Sequence, residues 1–162
     1  GPAKHYIKNN LLKTVRFFKL PNIENFTSSP NLNNFILRQE SLQKKNSQGK
    51  NVTVLNGKAF DVAVDVRVGS PTYGSWVGVE LNDKNNKSLF VPRGFAHGFM
   101  ALENDTRFTY AVDNYWNRES ERCLKWNDDY VGVEWPELDC HSISDKDKEG
   151  YSFKDLKTSF KY

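Results

Sequence analysis

Leu89-Phe90-Val91-Pro92-Arg93-Gly94-Phe95-Ala96-His97-Gly98-Phe99 is the stretch from which the fold is read. Apolar residues run into Pro-Arg-Gly, and a histidine then emerges between Ala96 and Gly98. Pro92 pre-sets a turn dihedral and Gly94 tolerates positive φ, so the stretch reads as strand, tight turn, strand. The small neighbours of His97 leave its ring room and let another group approach closely. A histidine so placed is more often a packed, hydrogen-bonded core residue than a functional one, so its meaning depends on its surroundings.

Working outward, the same grammar repeats. Trp76 to Leu81 makes a strand that ends in the polar turn Asn82–Asn86. Before it, Asp61, Asp65 and Arg67 alternate with Phe60, Val62, Val64 and Val66. That period of two predicts a half-buried strand over 59–68. Val52, Val54 and Leu55 lead into Asn56-Gly57, a hairpin signal. On the other side, Arg107 to Trp116 is strand-like and aromatic. Val15-Arg16-Phe17-Phe18 and Phe35–Leu37 are shorter strand candidates, and Ser41 to Lys50 reads as a loop. Helical periodicity surfaces only at Phe153–Phe160. Short strands about every ten residues with turn signals between them indicate an all-β sandwich or barrel. The 162 residues make one domain, 1–162, long enough to bury a core without staples.

Composition removes several function classes. A net charge of +3 with lysines interleaved among acids is not the basic stripe of a nucleic-acid binder. No apolar run approaches the ~20 residues of a membrane span. Two cysteines, Cys123 and Cys140, are too few for a disulfide framework and point to a reducing cytoplasm. Gly1-Pro2 reads as an expression remnant. The three histidines, His5, His97 and His141, show no His-x-His spacing, so no metal and no cofactor is expected. No nucleophile elbow and no phosphate-cradling glycine loop is present. What remains is acid–base chemistry. A barrel mouth that gathers His97, Tyr110, Lys50 and a carboxylate suits proton abstraction beside a carbonyl.

Longer motifs sharpen this. Gln48-Gly49-Lys50, Asn56-Gly57-Lys58-Ala59-Phe60-Asp61-Val62 through Arg67, and Ser70-Pro71-Thr72-Tyr73-Gly74-Ser75-Trp76 stand in order. Phe90-Val91-Pro92-Arg93-Gly94-Phe95-Ala96-His97-Gly98-Phe99, Arg118–Arg122, Trp135-Pro136 and Ser142–Asp147 follow. With these pieces the chain closely resembles the dTDP-4-dehydrorhamnose 3,5-epimerase family, the RmlC-like cupins, over about residues 48–147. The resemblance implies a cupin-type jelly-roll β-barrel with short peripheral helices, a homodimer, no metal, and a nucleotide-linked 4-keto-6-deoxy sugar as substrate. By resemblance Tyr110 is the general acid and Lys50 lies near the keto oxygen. Likewise His97 matches a second active-site histidine, and Trp116 falls beside the sugar. Asp147 matches the aspartate that orients the catalytic base.

That base is a histidine in a Val-Leu-Arg-Gly-Leu-His stretch shortly before Gln-Gly-Lys, and this chain has no histidine between His5 and His97. One alignment leaves out about a dozen residues, the base-bearing strand with its substrate-binding arginine. The other sets Ile36-Leu37-Arg38 on Val-Leu-Arg, keeps Arg38 as the arginine and puts Ser41 at the base. The family's Arg-Gly-Phe-Phe is altered here to Arg16-Phe17-Phe18. Both alignments lose the base, and a serine cannot replace an imidazole near neutral pH. The expectation is therefore an epimerase-family protein with weak or altered activity, or a pseudoenzyme that binds a sugar nucleotide or partners an intact epimerase. His5 would reach such a pocket only by exchange between subunits.

Overall fold

The strands fall largely where alternating apolar residues place them. A computed structural model describes residues 16–18, 34–38, 47–115, 117–137 and 142–162. In chain order the strands are β1 (Arg16–Phe18), β2 (Asn34–Arg38), β3 (Lys50–Asn56), β4 (Lys58–Asp65) and β5 (Trp76–Asn82). They continue with β6 (Ser88–Val91), β7 (Phe95–Ala101), β8 (Arg107–Val112) and β9 (Ser142–Ile143). The described helices are short: a 3-10 turn at Arg118–Ser120 and α1 at Asp145–Lys148, capped by the Ser144 side chain.

Two sheets form, one in the order β1-β6-β3-β8 and the other β5-β4-β7-β2-β9. Every pairing is antiparallel except β2 with β9. The sheets face each other across one core. Val52, Val54, Leu89, Val91 and Phe108 of the first meet Ala59, Ala63, Val77, Leu81, Phe95 and Phe99 of the second. Leu81 and Leu89 are wholly buried, and burying a side chain of this kind contributes about 1.5–3 kcal/mol. This is the cupin-type jelly roll.

A second core lies on the outer face of the five-stranded sheet. Val62, Val64, Val66 and Ala96 pack there against Leu124, Val131, Phe153, Leu156 and Phe160 from the C-terminal part of the chain. The half-buried reading of 59–68 is therefore corrected. Both faces of β4 are covered, and Asp61 and Asp65 point into the barrel with no solvent exposure. The strand also ends at Asp65.

Three further readings change. Asn56-Gly57 does not close a hairpin, because β3 pairs with β6 and β8 while β4 pairs with β5 and β7. Gly57, at φ 79°, is instead a corner where the chain passes from one sheet to the other. A Cβ there would lie 2.7 Å from Thr106 Oγ1, so the corner has room only for glycine. Residues 153–160 form one turn and then run irregularly rather than as a helix. Phe153, Leu156 and Phe160 carry helical spacing because each is drawn into the outer core. Finally, β8 stops at Val112, short of Trp116. The Pro92–Gly94 turn is as read, with Gly94 at φ 86°, and it too joins strands of different sheets.

β7 has a strand on each side, β4 and β2. The place beside His97 that the first alignment would leave as an edge is filled by Ile36–Arg38, with Arg38 opposite His97 in register.

Candidate active site at the barrel mouth

The site begins with β4 and β7. His97 lies directly opposite Ala63, and Asp61 lies opposite Phe99, so acid and imidazole share one face two positions apart. The small side chain of Ala63 leaves the ring its space. His97 Nε2 and Asp61 Oδ1 are 2.6 Å apart, and both side chains are buried. The His97 ring stacks near Phe108 at 6.2 Å and leans on Phe99 at 6.3 Å, while those two phenyl rings stack at 4.0 Å. A buried ring wedged and hydrogen-bonded in this way has one orientation.

β3 and β8 bring the remaining groups. Val52 and Tyr110 are opposite one another, and Lys50 faces Val112 on the same pair of strands. The Lys50 ammonium sits 5.5 Å from the centroid of the Tyr110 ring, a cation–π contact. Lys50 is only 4% exposed, whereas Tyr110 is 43% exposed, so the phenol marks the mouth and the lysine its wall. Phe108 links the two halves, its ring lying 6.3 Å from that of Tyr110.

Burial pushes the Asp61 carboxyl above the ordinary carboxylate range. Attraction and a hydrogen bond from His97, and the charge of Lys50, pull it back without cancelling that rise. Its second oxygen, Oδ2, has no hydrogen-bond partner among the described residues. Four residues along the same face, Asp65 behaves oppositely. Burial would raise it, but Arg67, Ser70 and Thr72 donate to its carboxylate and hold it below the usual range. One acid belongs to the cluster with His97 and Lys50, and the other locks the turn that follows β4.

Asp147 is not among these contacts. It lies in α1, fully buried, and accepts from Ser144 Oγ at 2.5 Å and from the Cys123 thiol at 3.6 Å. β9, just before α1, pairs with β2 through Asn34 and Phe35, so Asp147 belongs to the region flanking the β2 strand. Arg16 is set opposite Phe90 at the edge of the four-stranded sheet. Trp116, Ser41, His5, Cys140 and His141 lie outside the described residues. Thus Lys50, His97 and Tyr110 come together, and Asp147 is engaged elsewhere.

The residue sequence reasoning missed is Asp61. Alternation assigned its face to solvent, yet that face also carries Ala59 and Ala63. Two alanines interleaved with two aspartates are a poor solvent face and a good lining for a crowded interior. Among the described residues no three His, Cys, Asp or Glu side chains gather to hold a metal ion. No described helix is long and apolar enough to cross a membrane.

A family model for dTDP-4-dehydrorhamnose 3,5-epimerase matches residues 22–155. The dTDP-4-dehydrorhamnose 3,5-epimerase of Sinorhizobium fredii is 49% identical over 116 residues, 72% of this chain and 60% of that protein. Its counterpart from Pseudomonas aeruginosa is 43% identical over 120 residues, 74% of this chain and 66% of the relative. This chain thus spans under two thirds of the length of these two relatives. Among solved structures, the dTDP-6-deoxy-D-glucose-3,5-epimerase of Legionella pneumophila, in complex with dTDP-4-keto-L-rhamnose, superposes with a TM-score of 0.75. Identity there is 35%, covering 96% of this chain and 78% of that one.

Proposed function

The chain belongs to the dTDP-4-dehydrorhamnose 3,5-epimerase family, and from that premise we propose that its barrel mouth takes a nucleotide-linked 4-keto-6-deoxyhexose in deoxysugar biosynthesis. The observation that carries this reading is the buried His97–Asp61 pair beside Lys50 and Tyr110 at one open end of the barrel. Epimerisation next to a ketone removes a proton from the α-carbon, and the electron pair moves onto the keto oxygen as an enolate. The Lys50 ammonium stabilises that oxygen without needing to move as charge develops. Tyr110, half-exposed, returns a proton from its hydroxyl to the opposite face of the carbon. His97 is held in one orientation by Asp61, facing the same space.

Missing from this set is the imidazole that the resemblance assigns to proton removal. Removal then falls to His97 with Tyr110 returning the proton, or to an ionised Tyr110 with His97 returning it, at one carbon. Loss of a positioned base costs a factor of roughly 10²–10⁴, so turnover is weak or altered. A second reading, a non-catalytic binder of sugar nucleotide or partner of an intact epimerase, is favoured by Asp147. Among the described residues its carboxylate accepts from Ser144 and Cys123, and His97 is not one of its partners. The same proposal takes the protein as a cytoplasmic homodimer. Exposed Ala111 and Val112 on the outer strand β8 support a partner there.

Proton exchange in D₂O, followed by NMR on dTDP-4-keto-6-deoxyglucose with an intact family member as control, tests the proposal. Exchange at C3 or C5 that is lost in His97→Phe or Tyr110→Phe supports a rebuilt site. Absent exchange with clear thermal stabilisation by dTDP supports the binder. Neither exchange nor stabilisation refutes both.

A further inference from the structure

Three strands of the four-stranded sheet end in line at the barrel mouth. Val91, the last residue of β6, faces Lys50, the first of β3, and Lys50 in turn faces Val112, the last of β8. Strand ends are where a ladder frays, and here they carry the chemistry. Lys50 opens β3, Tyr110 stands two residues before the end of β8, and the turn after β6 leads directly to His97.

Just beyond these ends sits one carboxylate that the resemblance leaves without a role. Asp113 Oδ1 accepts from the Gly49 backbone N–H at 2.8 Å, and Asp113 Oδ2 accepts from Arg93 Nε at 3.1 Å. The Asp113 backbone N–H donates to the Gly49 carbonyl at 3.1 Å. Asn114 continues the seam, its Nδ2 donating to the Ser47 carbonyl while its own carbonyl accepts from Gln48 Nε2. A single side chain thereby ties together the residue before Lys50, the turn before His97 and the segment after Tyr110.

We infer that Asp113 is a positioning residue that fixes Lys50, Tyr110 and His97 relative to one another, and so sets recognition of the sugar end of the ligand. This rests on the sugar-nucleotide reading of the site. Global stability does not explain the arrangement. The Arg93 and Asp113 side chains are 45% and 50% exposed, and exposed ion pairs contribute little to folding. Their effect is local, and local placement is what an active site is sensitive to: a displacement of about 1 Å can cost roughly a hundredfold in rate.

The test compares Asp113→Ala and Asp113→Asn with Glu103→Ala as control. Glu103 pairs with Lys58 beyond the opposite end of β3, so it removes a surface carboxylate without touching the mouth. In ligand-free protein, NMR of Asp113→Ala is expected to move the ring resonances of both Tyr110 and His97 and to speed amide exchange at Lys50. The melting temperature stays near that of the parent. Affinity for dTDP-4-keto-6-deoxyglucose falls roughly ten- to a hundredfold while affinity for dTDP alone is little changed. Asp113→Asn, whose amide oxygen still accepts from Gly49, falls between. If Asp113→Ala does not fold, Asp113→Asn carries the same readouts against the control. Unmoved Tyr110 and His97 resonances, or equal losses for the two ligands, overturn the inference. Should the parent bind neither ligand, the sugar-nucleotide reading fails, and with it the claim about sugar recognition. The ring resonances still decide whether Asp113 positions the three side chains.

Discussion

Replacing Asp65 by alanine removes the acceptor of five hydrogen bonds from a site with no solvent exposure. The donors are the Arg67 backbone N–H, Nε and Nη2, Ser70 Oγ and Thr72 Oγ1, at 2.6–3.0 Å. Arg67 cannot swing freely into water, because its guanidinium is clasped between the Phe95 and Tyr162 rings and its side chain is only 18% exposed. Stripping one partner from a buried charge pair costs about 3–5 kcal/mol. A domain of this size loses about 2–4 °C of Tm per kcal/mol, so the expected fall is roughly 6–20 °C. The pH dependence supplies a second signature. The folded-state pKa of Asp65 is depressed, so its contribution is full above the unfolded value near about 3.9 and is lost as pH falls through the folded value. Urea unfolding of parent and Asp65→Ala, run from pH 7 down to pH 3, reads both quantities. A constant gap at neutral pH that closes in acid is expected. A gap below about 1 kcal/mol at pH 7, or one that widens in acid, refutes the reasoning.

Asp61 should show the opposite slope. Its folded-state pKa is raised, so the parent loses stability relative to Asp61→Asn as pH rises from the ordinary aspartate value through the elevated one; urea midpoints at stepped pH would reveal any rise instead. Gly57→Ala forces a side chain into a positive-φ corner against Thr106 and should cost about 1–3 kcal/mol, measured by chemical denaturation; a neutral result would mean that the corner relaxes freely. Leu124→Ala hollows the outer core at a residue 1% exposed and should cost about 2–5 kcal/mol, which thermal melts would miss only if the C-terminal layer were not part of the cooperative fold.

Much of this architecture is legible in the residues. The Pro92–Gly94 turn, the strand around His97 and the alternation through Val62, Val64 and Val66 depend on local sterics and periodicity, which sequence records directly. Asn56-Gly57 was readable as a turn but not as a change of sheet, because pairing partners are chosen by residues far along the chain. Asp61 and Asp65 looked solvated because two apolar faces on one strand cannot be distinguished from one until the C-terminal layer is placed. Phe153, Leu156 and Phe160 imitate helix spacing for the same reason. Lys50, His97 and Tyr110 are legible in the sequence as types suited to one chemistry. The carboxylate completing the cluster is not, since its partner comes from register between β4 and β7.

The corner at Gly57 also bears on how the chain reaches this state. Among the described strands only β4 and β5 are sequence neighbours that pair, so little of the barrel can zip up from local hairpins. Topologies dominated by distant contacts fold slowly, on the order of milliseconds to seconds. Synthesis adds its own delay. At about 5–20 residues per second, Tyr110 emerges roughly 3–12 s after its partner Val52. Until β6 and then β8 arrive, β3 is a nascent strand with open edges, and its apolar Val52 and Val54 are a liability for pairing with other chains.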